Sequence, residues 1–240
     1  MSDEQISLFD LGSSAAATPP PPTVTPIADP HLIPTSASIP IPPGTYQSME
    51  EMKLHCNQCQ RCDLAAGRTN AVVGEGNLHA PIMIVGEGPG QTEDETGRPF
   101  VGRSGELLDK ILASVNLTRE QDVFICNIVK CRPPDNRAPS SDEAAACKGY
   151  LMEQIRLVNP KIILLTGATA LKGLLGIKQG ITKVRGEWVE QEGRLYMPIF
   201  HPAYLLRNPS REKGKPKWLM WQDIQAVRAK LDDLLEADDF

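Results

Sequence analysis

Four short apolar runs, at residues 82–85, 123–129, 161–166 and 195–200, recur at intervals wide enough to hold a helix between successive runs. Each is rich in Ile, Val or Leu throughout rather than at alternate positions, the pattern of a strand buried on both faces. The segments between them carry helical spacing. Leu107, Leu108, Ile111, Leu112 and Val115 share one face, and Ser140 with Glu143 forms a capping box ahead of Leu151, Ile155 and Val158. Helices are also expected over 168–175 and 224–235, with a short one opening at Met49, Met52 and Leu54. Strand alternating with helix gives a parallel sheet covered on both sides. The expected fold is therefore α/β, a three-layer α/β/α sandwich with a central, mainly parallel four-stranded sheet.

Ten of the 21 prolines fall between Pro19 and Pro43, among Ala, Ser and Thr. Such a stretch cannot bury enough apolar surface to offset its ordering entropy, and proline biases it toward extended conformations. Residues 1–45 are read as a disordered tail and 46–240 as the folded domain, starting near Ser48. The tail and residues 231–240 hold nine acids and no Lys or Arg, so the net charge of −5 conceals a core over 46–230 of +4. A mildly basic core is compatible with a polyanionic partner without demanding one. No run approaches the ~18 apolar residues of a membrane span, and no basic-then-apolar leader opens the chain. A cytoplasmic protein, monomeric by default, is expected.

Six cysteines without a secretory leader point to metal rather than disulfides. Cys56, Cys59 and Cys62 form two overlapping C-x2-C pairs, with Cys131 and Cys147 downstream, whereas Cys126 sits inside an apolar run and reads as a buried free thiol. Four thiolates from two separated segments suit either tetrahedral zinc or a [4Fe–4S] cluster. Spacing chooses neither the metal nor which two of the first three cysteines bind it. Two further loops each follow an apolar run directly: Gly86-Glu87-Gly88-Pro89-Gly90, and His201-Pro202-Ala203-Tyr204-Leu205-Leu206-Arg207. Open α/β sheets build their sites at the carboxyl ends of such strands.

These residues resemble the iron–sulfur, or family 4, uracil-DNA glycosylases. The resemblance runs from about Cys59 to Leu231. It is carried by Cys59-Gln60-Arg61-Cys62-Asp63-Leu64, Gly86 to Gly90, Gly97-Arg98-Pro99-Phe100-Val101-Gly102, Asn127-Ile128-Val129-Lys130-Cys131-Arg132-Pro133-Pro134, and His201 to Arg207. It implies an enzyme that flips uracil out of DNA, hydrolyses its N-glycosidic bond and leaves an abasic site. The cluster ligands implied are Cys59, Cys62, Cys131 and Cys147, with Cys56 an extra thiol and the [4Fe–4S] cluster mainly structural. Phe100 would stack on the base, and Asn127 would pair with its N3–H and O4, disfavouring cytosine. His201 would donate to O2, Gly86 and Gly88 would offer backbone dipoles, and Glu87 would orient water or stabilise positive charge on the sugar. Leu205, Leu206 and Arg207 would fill the vacated stack, and the five bases against one acid over 201–217 would hold phosphates.

Gln5-Ile6-Ser7-Leu8-Phe9 resembles the peptide by which bacterial repair proteins bind the sliding clamp, with Leu8 and Phe9 filling a pocket and Gln5 held by hydrogen bonds. A tether of this kind raises local concentration on DNA. Two rival readings are a non-catalytic iron–sulfur DNA-binding damage sensor and a zinc-stapled nucleotide hydrolase. Glu87, Asn127 and His201 occurring together favour the glycosylase over a sensor.

Overall fold

The computed structural model describes Ala37 and residues 40–238. Among the described residues six strands form one sheet: β1 (Glu75–Gly76), β2 (Ile82–Gly86), β3 (Val123–Asn127), β4 (Ile162–Thr166), β5 (Val189–Gln191) and β6 (Arg194–Ile199), in the order β1-β3-β2-β4-β6-β5. The four apolar runs supply the central β3-β2-β4-β6, all parallel, while β1 and β5 add antiparallel edges. The sheet is thus six-stranded around the expected four. The edge strands have two and three residues and no apolar run to announce them.

Every residue of β2, β3 and β4 is buried. Alternation explains why. Met83, Val85, Phe124, Cys126, Ile163 and Leu165 point into one apolar layer, shared with α1 (Met49–Gln58), α5 (Ser141–Val158) and α6 (Ala168–Leu175). Their neighbours Ile82, Ile84, Val123, Ile125, Ile162 and Leu164 point into the other, covered by α4 (Arg103–Ala113) and α9 (Pro216–Asp238). Both faces are dry, so both sets of side chains are apolar. The capping box at the start of α5 forms as the sequence implies, Ser140 Oγ accepting from Glu143 N–H at 3.1 Å while the Glu143 carboxylate accepts from Ser140 N–H at 2.7 Å.

The domain begins ahead of the expected boundary. Ile41 and Tyr46 are core residues, and the Glu153 carboxylate accepts from Gly44 N–H at 2.9 Å and Tyr46 N–H at 3.1 Å. Proline density marked the tail, but a single apolar residue followed by an anchored turn is enough to end it. The clamp-like peptide with Gln5, Leu8 and Phe9 lies outside the described residues. None of the described helices is long and apolar enough to cross a membrane.

From β2 the chain crosses to β3 on one side and then returns to β4 on the other. That reversal opens a crevice outside the carboxyl ends of the strands, the usual ligand position in an open α/β sheet.

Candidate active site

A cleft of about 820 Å³ occupies this crevice, a volume within the range of small-molecule sites. The carboxyl ends of all four parallel strands reach it, bringing Glu87, Asn127, Thr169 and His201 to one place.

Gly86, the last residue of β2, sets the spacing beneath the cleft. A Cβ there would stand 2.2 Å from Asn127 Oδ1 and 2.6 Å from the Phe100 ring, so only hydrogen fits between them. Asn127 ends β3 and is 2% exposed; its Oδ1 is a buried acceptor without a hydrogen-bond partner among the described residues. A buried acceptor in that state costs about 1–3 kcal/mol, which a ligand donor recovers.

Phe100 lines the same cleft while its ring also packs into the α4/α9 apolar layer. Its φ of 51° lies in the left-handed region, an outlier for a bulky side chain. Neighbouring groups hold it there. The buried Arg119 guanidinium donates to Pro99 O at 2.8 Å and Phe100 O at 2.6 Å, and Arg119 also pairs with Asp109 at 3.0 Å. The Glu93 carboxylate accepts from Val101 N–H at 2.9 Å, Gly102 N–H at 2.8 Å and Gly90 N–H at 3.1 Å. One carboxylate therefore ties the Gly86–Gly90 loop to the loop that carries Phe100. Backbone strain of this kind costs about 1–3 kcal/mol and persists only where the surroundings enforce it.

His201 caps α8 (Pro202–Arg207), and its Nδ1 accepts from Ala203 N–H at 3.1 Å. With Nδ1 as acceptor, the neutral ring carries its proton on Nε2 and presents a donor. Burial lowers its pKa from the ordinary 6.5; the nearby Glu87 opposes that shift, and Arg207 adds to it. The ring lies 5.6 Å from that of Phe100, tilted by 30°. Gly167 follows β4 with a φ of 91°, and a Cβ there would come within 3.3 Å of His201 Cβ, which the left-handed glycine avoids.

The Glu87 carboxylate accepts a hydrogen bond from the Thr169 hydroxyl. Thr169 carries no motif of its own in the sequence, although Gly167-Ala168-Thr169 follows the third apolar run just as the Glu87 and His201 loops follow theirs. Gly88 also lines the cleft.

The expected wedge divides. Leu205 is 1% exposed and packs in the core, because the i, i+3 pair Pro202 and Leu205 forms the inward face of α8. Leu205 is therefore not available to enter a base stack. Leu206 is half-buried and Arg207 exposed, and Arg207 reaches the rim of the cleft with Arg103 and Arg137. Arg137 is already paired with Glu143 at 2.7 Å.

Cys56, Cys59, Cys62, Cys131 and Cys147 line a second, small cavity with Arg61, Arg68, Lys130 and Tyr150. Arg68 donates to Cys59 O at 2.7 Å and Cys131 Sγ at 3.4 Å. Burial raises the Cys147 thiol to about 12, and the cysteines raise one another wherever their charges meet. Among the described residues no three His, Cys, Asp or Glu side chains gather around a point as a single metal ion requires. The thiols instead ring a cavity flanked by three cations, Arg61, Arg68 and Lys130, a donor set chemically suited to an anionic body with several thiolate-binding corners. Cys126 is fully buried within β3 and lies outside that ring.

The pattern that describes the uracil DNA glycosylase superfamily matches residues 73–225. A type-4 uracil-DNA glycosylase of Thermotoga maritima is 49% identical over 185 residues, 75% of this chain and 93% of the relative. Relatives of the same name from Sulfurisphaera tokodaii and Saccharolobus solfataricus are 42% and 43% identical, covering 84% and 82% of their own lengths. The chain belongs to the uracil-DNA glycosylase superfamily, and its similarity is to the type-4 members.

Proposed function

We propose that this protein is a uracil-DNA glycosylase of DNA repair, hydrolysing the N-glycosidic bond of a uracil extruded from DNA to leave an abasic site. The observation that carries this reading is the buried, unpartnered Oδ1 of Asn127, set across Gly86 from the Phe100 ring in one cleft. A planar ring on Phe100 brings its edge to the carboxamide. Asn127 Oδ1 accepts the N3–H of uracil and Nδ2 donates to O4; cytosine would set its own amino donor against Nδ2. The neutral His201 donates from Nε2 to O2, where negative charge develops as the bond breaks. Backbone N–H groups at Gly86 and Gly88 add fixed dipoles. Glu87, aimed by Thr169, orients the attacking water and stabilises positive charge on the sugar. Leu206 and Arg207 fill the vacated stack, and the bases over 207–217 hold the phosphates.

Cys59, Cys62, Cys131 and Cys147 would hold a [4Fe–4S] cluster, whose role when bound is to pin the segment after α1 to β3 and α5. The peptide with Gln5, Leu8 and Phe9 would dock on a sliding clamp. Titrating a 1–15 peptide against purified clamp tests this, and failure to bind removes it.

An oligonucleotide with one uracil, treated with alkali to cut abasic sites, tests the activity. The wild type should cut it and His201→Ala should be slower by about a hundredfold or more, the cost of one such donor. No cutting by cluster-loaded, DNA-binding wild type would favour the sensor instead.

A further inference from the structure

Lys130 is a fully buried cation that the proposed chemistry does not use. It is 2% exposed, and its Nζ donates to Asn127 O at 2.6 Å and to Gln154 Oε1. Gln154 in turn donates from Nε2 to Val73 O at 2.7 Å. Both acceptors at Nζ are neutral carbonyls, and no carboxylate lies within ion-pair distance of it among the described residues. A buried cation without a counter-charge is strongly disfavoured. The same side chain lines the cavity ringed by Cys56, Cys59, Cys62, Cys131 and Cys147, and its charge acts on the Cys56, Cys126 and Cys147 thiols.

We infer that Lys130 is a positioning residue that is counter-ion to the cluster on one side and anchor of the base-reading Asn127 on the other. The negative charge of a thiolate-held cluster supplies the missing partner for the ammonium. The ammonium, held by that charge, fixes the carbonyl of Asn127 and with it the end of β3 from which the carboxamide projects. On this account the cluster contributes to base recognition through one side chain, beyond tying segments together. The inference rests on the glycosylase reading for its base-recognition half, and on the cluster for its electrostatic half.

The test compares cluster-loaded wild type with Lys130→Met, which removes charge and donor, and Lys130→Gln, which keeps a donor without charge. Iron and sulfide content and visible absorption establish loading first. Three quantities follow: the cluster's reduction potential by film voltammetry, inhibition by free uracil, and the separate KM and kcat on uracil-containing DNA. Lys130→Met should move the potential to a more negative value, since a positive charge that favours the reduced cluster is gone. It should also weaken uracil inhibition by about tenfold, with KM rising more than kcat falls, as expected for one lost charge-assisted hydrogen bond. Lys130→Gln should show the same potential shift with uracil inhibition restored toward wild type.

An unchanged potential in both variants overturns the counter-ion role. Unchanged uracil inhibition in Lys130→Met overturns the anchoring role. If Lys130→Met does not fold, Lys130→Gln with a wild-type potential still refutes the electrostatic half. Gln154→Met, which leaves the charge in place, should keep the wild-type potential, and a shift as large as that of Lys130→Gln also refutes that half. Wild type that leaves uracil in DNA defeats the glycosylase reading alone, because the potential measurement needs no substrate.

Discussion

Replacing Gly86 by alanine inserts one methyl at the point where the proposed base-reading and base-stacking side chains meet. The added Cβ would stand 2.2 Å from Asn127 Oδ1 and 2.6 and 2.7 Å from two atoms of the Phe100 ring. Non-bonded carbon contacts relax near ~3.5 Å, so the carboxamide or the ring must retreat by roughly 1 Å. Phe100 has little freedom to do so, since Arg119 and Glu93 hold its backbone from both sides. Asn127 is likewise fixed, its backbone carbonyl bonded to Lys130. Overpacking a filled site costs about 1–3 kcal/mol, so the variant should remain folded with a lowered melting temperature. A misplacement of ~1 Å in a positioned site costs about a hundredfold, and kcat/KM for uracil excision should fall by that order. Single-turnover excision with enzyme in excess but below saturation, which reads kcat/KM, together with circular dichroism on the same preparation, separates the two effects. A folded Gly86→Ala protein whose kcat/KM stays within about threefold of wild type would refute the claim that these two side chains frame the base.

Three other outcomes follow from the same geometry. Thr169→Val should lower kcat by about tenfold with KM nearly unchanged, because the Glu87 carboxylate loses the hydroxyl that aims it, and Thr169→Ser should restore most of the rate. Burial holds the His201 pKa below the ordinary 6.5, so the neutral donor persists as pH falls through that value and a pH–rate profile should decline only at more acid pH. In the window between the two pKa values the unfolded chain binds the extra proton, so this histidine's contribution to stability is full above about 6.5 and is lost as pH falls through the folded value; urea titrations across that range check the sign. Cys147→Ser should abolish the visible absorption of the purified protein, lower its iron content and reduce its melting temperature, whereas Cys126→Ser should leave the spectrum intact.

The central sheet was legible because strands buried on both faces must be apolar at every position, and few other patterns give such short unbroken runs. β1 and β5 were not, because edge strands of two or three residues carry no comparable demand. The loops after the first and fourth apolar runs carry Glu87 and His201, and the family resemblance adds Asn127, whereas Thr169 follows the third run in a loop without a motif of its own. Chain proximity groups Leu205 with Leu206 and Arg207, but helical periodicity places adjacent residues on different faces, and Leu205 faces the core. No local pattern in the sequence reports that Glu93 and Arg119 clamp the Phe100 loop. Their partners are backbone groups, up to 20 residues away for Arg119, and backbone groups leave no trace in residue identity.

The most direct measurement is a crystal structure of the protein with uracil bound. The pyrimidine should lie against the Phe100 ring, its N3–H directed at Asn127 Oδ1 and its O2 facing Nε2 of His201. A uracil seated elsewhere, or an Asn127 carboxamide turned away from an occupied cleft, would contradict that placement.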